Sequence, residues 1–131
     1  MAAKYQTLST ALLDHVLRNT AYAPAATVYA ALYTVAPTAT TPGTEVATGG
    51  GTLYARQAIT WAAAAAGSIS NSVAVTFPVA GAAWGTVVAA AICDADPGGN
   101  ILYFGNLTAS KAVGVGDQLN FAIGALTVTE S

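Results

Sequence analysis

The stretch "TVYAALYT", residues 27–34, decides how the chain is read. Successive strand side chains point to opposite faces, so Val28, Ala30 and Leu32 share one side and Tyr29, Ala31 and Tyr33 the other. Both sides carry apolar or aromatic groups, which predicts a strand covered on both faces. The run "SVAVTFP", residues 72–78, repeats the alternation, with Val73, Val75 and Phe77 on a common face.

Outward from these two runs the chain keeps the same character. After Pro24 it consists of short segments rich in Val, Tyr, Thr and Ile, broken by Gly, Pro and Asp clusters. Strands are expected near Thr27–Thr34, Leu53–Trp61, Ile69–Phe77, Thr86–Cys93, Ile101–Leu107, Ser110–Val113, Gln118–Ala122 and Leu126–Thr129. About eight short strands in residues 24–131 predict an all-β domain, a β-sandwich or jelly roll.

Residues 1–23 read differently. Leu8, Leu12 and Val16, with Leu13 and Leu17, recur at the four-residue spacing of one helix face, predicting a short amphipathic helix from Leu8 to Arg18. Thr7 is the expected N-cap, Asp14 and Arg18 stand four apart as an ion pair, and Asn19 and Pro24 end the helix. A helix of this length is not stable alone, so its stripe must dock on the domain or on a partner chain.

The passage "GTEVATGGGTLYARQAITW", residues 43–61, holds a glycine triplet that invites a phosphate-loop reading. Neither a "GK[ST]" ending nor a following helix is present, so Gly49, Gly50 and Gly51 read as a connector able to take positive φ. Alternation puts Tyr54, Arg56 and Ala58 on one face, where the Arg56 guanidinium is expected to stack on Tyr54 or pair with Glu45. The alanine run in "WAAAAAGS", residues 61–68, is too short to nucleate a helix and reads as a loop or edge extension.

Composition narrows the function. Only 8% of the 131 residues are charged, against roughly 25% in ordinary soluble domains, while 54% are hydrophobic. Such a surface suits a protein that works covered by neighbours. Lys4, Arg18, Arg56 and Lys111 are the only basic residues, and they make no stripe for a phosphate backbone, so no nucleic-acid partner is expected. The apolar run Val79–Cys93 is interrupted by Gly81, Gly85 and Thr86 and falls short of the roughly 20 residues of a membrane span. Asp14, His15 and Arg18 interrupt the run a signal peptide would need, so no signal peptide is expected.

Candidate chemistry is sparse. His15 has no second histidine or cysteine at metal spacing, and no "GxSxG" elbow accompanies it. Cys93 ends the apolar run "TVVAAAIC" and reads as a buried, inert thiol. "DADPGGN", residues 94–100, starts like a calcium loop, but Gly105 stands where the bidentate carboxylate belongs, so a turn between strands is expected. The triplet Asn106-Leu107-Thr108 carries no weight without a secretory route. No catalytic residue, metal or cofactor is expected.

Taken in order, "LLDHVLRNTAY", "TVYAALYTVAPT", "GTEVATGGGTLYARQAITW", "ISNSVAVTFP" and the run from Trp84 to Thr129 resemble a family of small tailed-bacteriophage virion proteins, often labelled tail-fibre or minor structural proteins. The resemblance spans nearly the whole chain and implies a non-enzymatic particle protein, made in the host cytoplasm and carried on the virion. Within that setting the first expectation is a capsid decoration, or cement, protein. It would bridge major capsid subunits with the arm Met1–Tyr22 and the loop Pro37–Gly51. The alternative is a tail-fibre or tail-tip module whose loops, such as "DADPGGN", touch a host receptor. Homo-oligomerisation is expected in either role, and the candidate interface residues are Leu8, Leu12, Val16, Tyr29, Tyr33, Glu45, Tyr54 and Arg56.

Overall fold

A computed structural model describes residues 3–96 and 98–130. Its elements in chain order are β1 (Ala3–Lys4), α1 (Gln6–Arg18), β2 (Tyr29–Val35), β3 (Thr44–Glu45), β4 (Gln57–Ala58), β5 (Ser68–Ser70), β6 (Val75–Thr76), β7 (Gly85–Cys93), β8 (Ile101–Val113), β9 (Asn120–Phe121) and β10 (Thr127–Thr129). The fold is all-β with one short N-terminal helix, as the sequence predicts. Its strands form one main sheet in the order β1-β8-β7-β2-β3, with β4 also on β2, and two small ribbons, β5–β10 and β6–β9. All of these pairs are antiparallel.

The two-faced reading of residues 27–34 holds. Ala30 and Leu32 lie in the larger core with Val75, Phe77, Trp84, Val87 and Val113, whereas Ala31 and Tyr33 lie in a second cluster with Ala89, Ala91 and Cys93. The alanines of β2 and β7 face each other in register, Ala31 opposite Ala91 and Tyr33 opposite Ala89. Tyr5 and Phe104 pack on this second cluster, so large rings cover a floor of small residues. On the first face Tyr54, Phe77, Trp84 and Phe121 make an aromatic group. Tyr54 meets the Trp84 ring edge-on at 5.4 Å, and Phe77 meets Phe121 at 6.2 Å. Such pairings add to the area they bury.

Several expected boundaries move, each for a physical reason. Ile101–Leu107 and Ser110–Val113 are one strand, β8, whose register against β7 shifts between Val87 and Ala89, so a bulge stands where a break was expected. The stretch Ile69–Phe77 divides into β5 and β6. Asn71 Nδ2 donates to Val73 O at 2.8 Å, the chain bends there, and the alternation changes phase, leaving Val73 exposed while Val75 and Phe77 are buried. Leu53–Trp61 is paired as a strand only at β4, with an isolated bridge from Trp61 to Asn71. Thr7 is not the N-cap. The helix opens at Gln6, whose N–H donates to Ala39 O, and Tyr5 occupies the cap position without a side-chain bond. Asn19, in the left-handed region at φ 55°, closes it.

Two local devices were not visible as such in the sequence. The alanine run ends in a two-residue hairpin turn: Ala65 and Ser68 exchange both backbone hydrogen bonds, and Ala66 and Gly67 have φ of 52° and 76°. Positive φ at both central residues is the turn whose twist matches paired strands. Asn71, 2% exposed, donates to Val73 O and Ala122 O and accepts from Leu126 N–H, so its amide holds the 122–126 loop against β5. Replacing Ala66 by Asn, which tolerates positive φ, is expected to stabilise the protein by about 0.5–1 kcal/mol. Asn71→Ala is expected to cost about 2–3 kcal/mol by orphaning buried backbone groups. Urea titrations of the two variants check both signs.

Candidate functional site

The residues proposed from sequence for an interface fall into two groups in space. The first is a polar network built by segments with little regular pairing. Tyr54 Oη accepts from the Leu32 N–H at 3.0 Å and donates to Glu45 Oε2 at 2.6 Å. Glu45 in turn receives both sides of the Arg56 fork, Nε to Oε2 and Nη2 to Oε1, each at 2.8 Å. The remaining Arg56 nitrogen, Nη1, donates to Ala95 O at 2.7 Å and Gly98 O at 2.6 Å, two carbonyls of the loop joining β7 and β8.

The expected Arg56–Glu45 pairing is therefore present, and it carries more than sequence suggested. The network ties the loop 94–100 to β2 and β3. Asp94 finishes that loop by accepting from the Asn100 backbone N–H at 2.6 Å, which makes the expected turn; Pro97 lies outside the described residues. Gly99, at φ 71°, is required there because a Cβ would collide with the Asp94 side chain. The glycine triplet is the connector that was expected: Gly50 and Gly51 take φ of 69° and 77°, and Thr52 O then accepts from the Trp84 indole at 2.8 Å.

Charge in this network is well compensated. Burial pushes the Glu45 carboxyl up, but hydrogen bonds from Arg56 and Tyr54 outweigh it and hold the group below its usual range. Burial, then the bond to Glu45, drives the Tyr54 phenol up, and Arg56 is held charged chiefly by Glu45. Burial likewise raises the Cys93 thiol, whose Sγ lies 3.9 Å from Tyr33 Oη, in keeping with an inert buried cysteine. Among the described residues no buried side-chain nitrogen or oxygen lacks a partner, and no three His, Cys, Asp or Glu residues cluster as metal ligands. His15 donates from Nδ1 to Thr20 O at 2.9 Å just beyond the helix end.

The second group is the helix. Leu8 is buried and Leu12 half-buried, but Leu13, Val16 and Leu17 are 60%, 72% and 75% exposed. The stripe docks through its first turns, and among the described residues none covers its C-terminal half. Tyr33 and Tyr54, at 3% and 4% exposure, are core residues whose influence on any partner is indirect; Tyr29 is half-buried.

Sequence reasoning missed a third feature, an open apolar groove of about 880 Å³ between the main sheet and the β5–β10 ribbon. Val28, Ile59, Trp61, Ile69, Tyr103 and Val128 line it. At its rim Glu130 accepts from Lys4 and from Tyr103 Oη, the latter at 2.9 Å. Burial and this bond push the Tyr103 phenol up to about 12, and Lys4 chiefly holds the Glu130 carboxyl below its usual range. The groove's lining is mostly aliphatic and aromatic, with hydroxyls at Thr27, Thr60, Ser68 and Tyr103 and the Glu130 carboxylate at the rim.

A family model described as "Podophage GP4 fiber I protein gp80" matches residues 3–129. The chain belongs to that family. No curated protein matches it. Membership bears out the resemblance to small tailed-phage virion proteins and makes the chain a phage fibre-type structural component associated with other virion proteins. No helix among the described residues is long and apolar enough to cross a membrane.

Arg56→Ala is expected to destabilise the fold by about 3–5 kcal/mol, because it leaves Glu45 partly buried and unpaired. Arg56→Lys is expected to lose most of the same amount, since an ammonium cannot make the two-pronged contact and reach both loop carbonyls. The pH dependence has a definite sign. Folded Glu45 binds its proton more weakly than unfolded Glu45. Its contribution is therefore complete above the ordinary carboxylate range, about pH 4, and is lost as pH falls through the lower folded-state value. Melting temperatures from pH 7 to pH 3 should fall less steeply for Glu45→Gln than for the parent.

Proposed function

We propose that the protein is a non-enzymatic fibre module of a podophage virion, joined to other virion proteins and to copies of itself through its N-terminal helix. The observation that carries this reading is the uncovered face of α1. Three large aliphatic side chains in water forgo about 1.5–3 kcal/mol each relative to full burial, and a chain with 8% charged residues has little else to keep such a patch dispersed. A neighbouring virion protein covering Leu13, Val16 and Leu17 supplies the docking that the short helix lacks within its own chain.

The same face would serve a capsid decoration protein clamping major capsid subunits, with residues 1–22 and 37–51 reaching across their boundary. The family description favours the fibre. Loop 94–100 is the segment suited to host contact under the fibre reading, because the Arg56 clamp holds its backbone while leaving Asp96, Gly98, Gly99 and Asn100 exposed.

Copy number separates the two placements. Quantitative mass spectrometry of purified particles is expected to find this chain at a small multiple of the tail symmetry. Hundreds of copies in fixed ratio to the major capsid protein would replace the fibre reading with decoration, and absence from particles would end both.

A further inference from the structure

Residues 3–18 are fastened to the rest of the chain at few points. β1 is two residues long and lies on the edge of β8, Ala3 opposite Phe104 and Lys4 opposite Tyr103. Next to it Tyr5 N–H donates to Leu102 O, Gln6 N–H donates to Ala39 O, and Lys4 pairs with Glu130. Leu8 is the one buried residue of α1, and it belongs to neither core cluster. From this whole segment the larger core receives nothing, and the smaller one receives the Tyr5 ring at its margin.

A joint follows the helix. Thr20 N–H donates to Asp14 O and Thr20 O accepts from His15 Nδ1, so the helix end closes on itself. Among the described residues none from Ala21 to Thr27 makes a hydrogen bond, and Ala23–Thr27 are exposed throughout. Pro24 keeps helix from propagating into this stretch. The pairing of β2, β7 and β8 and the Arg56–Glu45 contact lie outside residues 3–27, so lifting the segment breaks none of them. A local opening costs only the contacts that the segment itself makes. Because a helix this short is not stable alone, α1 unwinds once it is lifted, and undocking and unwinding are one event.

We propose that residues 3–18 form a strap that opens as one unit about the joint at 21–27 while the β domain stays folded. Opening bares Leu102 O and the Tyr103–Phe104 edge of β8, and it uncovers the side of the smaller core beneath Tyr5. It also releases Glu130 from Lys4 at the groove rim, and the joint itself supplies Ala25, Ala26 and Thr27 to the groove lining. The strap therefore controls the strand edge and the groove together. This device goes beyond the reading above and does not depend on which protein covers the helix face.

Amide hydrogen exchange of the full chain, resolved residue by residue by NMR, tests it. In the parent, the N–H groups of Tyr5, Gln6 and Ser9 and the later bonded amides of α1 are expected to converge on one protection factor. That value should lie at least ~100-fold below those of the core amides Leu32, Phe77 and Trp84, whose N–H groups are bonded within the β domain. Leu8→Ala removes the strap's buried aliphatic anchor and is expected to lower strap protection at least ~30-fold, or abolish it, with the three core amides unchanged. Strap protection equal to the core's overturns the proposal, because the segment then opens only with the whole domain. A Leu8→Ala variant that loses core protection in step, or no longer folds, overturns it for the same reason. Protection that decays from Arg18 towards Ser9 while Tyr5 and Gln6 stay bonded also overturns it, since fraying of the helix end then replaces opening as a unit.

Discussion

The fold depends on one charged contact, the fork of Arg56 on Glu45. It is the only ion pair among the described residues whose partners are both substantially withdrawn from water, at 10% and 25% side-chain exposure. It also stands where regular pairing runs out. Residues 36–56 contribute just two residues, Thr44 and Glu45, to any strand, yet they span the side of the larger core that holds Tyr54. Tyr54 joins the two regimes: its ring packs against Phe77 and Trp84, while its hydroxyl passes from the β2 backbone to Glu45. Through Arg56 the same link reaches the β7–β8 loop. Long-range hydrogen bonds thus replace a strand ladder in a segment too rich in Gly, Pro and Thr to sustain one.

What the sequence revealed follows from how local each cause is. Alternation at residues 27–34 marked a strand with two covered faces, because period-two patterning needs no knowledge of partners. Four-residue spacing marked the helix, and an arginine near a glutamate in a chain of four basic residues marked the pair. The sequence was silent where the cause is tertiary. β1 and β3 are two residues each and exist because β8 and β2 offer edges to them. Asn71 ends the alternation of its strand by a side-chain bond to its own backbone, which no periodicity registers. The groove arises from the gap between sheet and ribbon, a property of their spacing. A buried asparagine between β-branched runs and a tryptophan before five alanines were the available hints.

Half of the helix stripe is spent inside the chain and half is left over. Leu8 anchors α1 over the sheet, while Leu13, Val16 and Leu17 remain in water, and under the proposed reading this exposed part of the stripe is the contact. The scarcity of charge has the same sense, since a fibre component buries much of its surface against neighbours. Family membership and the uncovered helix face are both in keeping with the proposed role of holding virion proteins together.

The most direct test is a cryo-electron microscopy reconstruction of the intact virion at a resolution that shows side chains. The account predicts this chain in a fibre at the tail, with Leu13, Val16 and Leu17 of every copy covered by another protein chain and the Arg56–Glu45 contact intact. Finding the helix face bare in the assembled particle, or the chain spread over the capsid lattice, would contradict it.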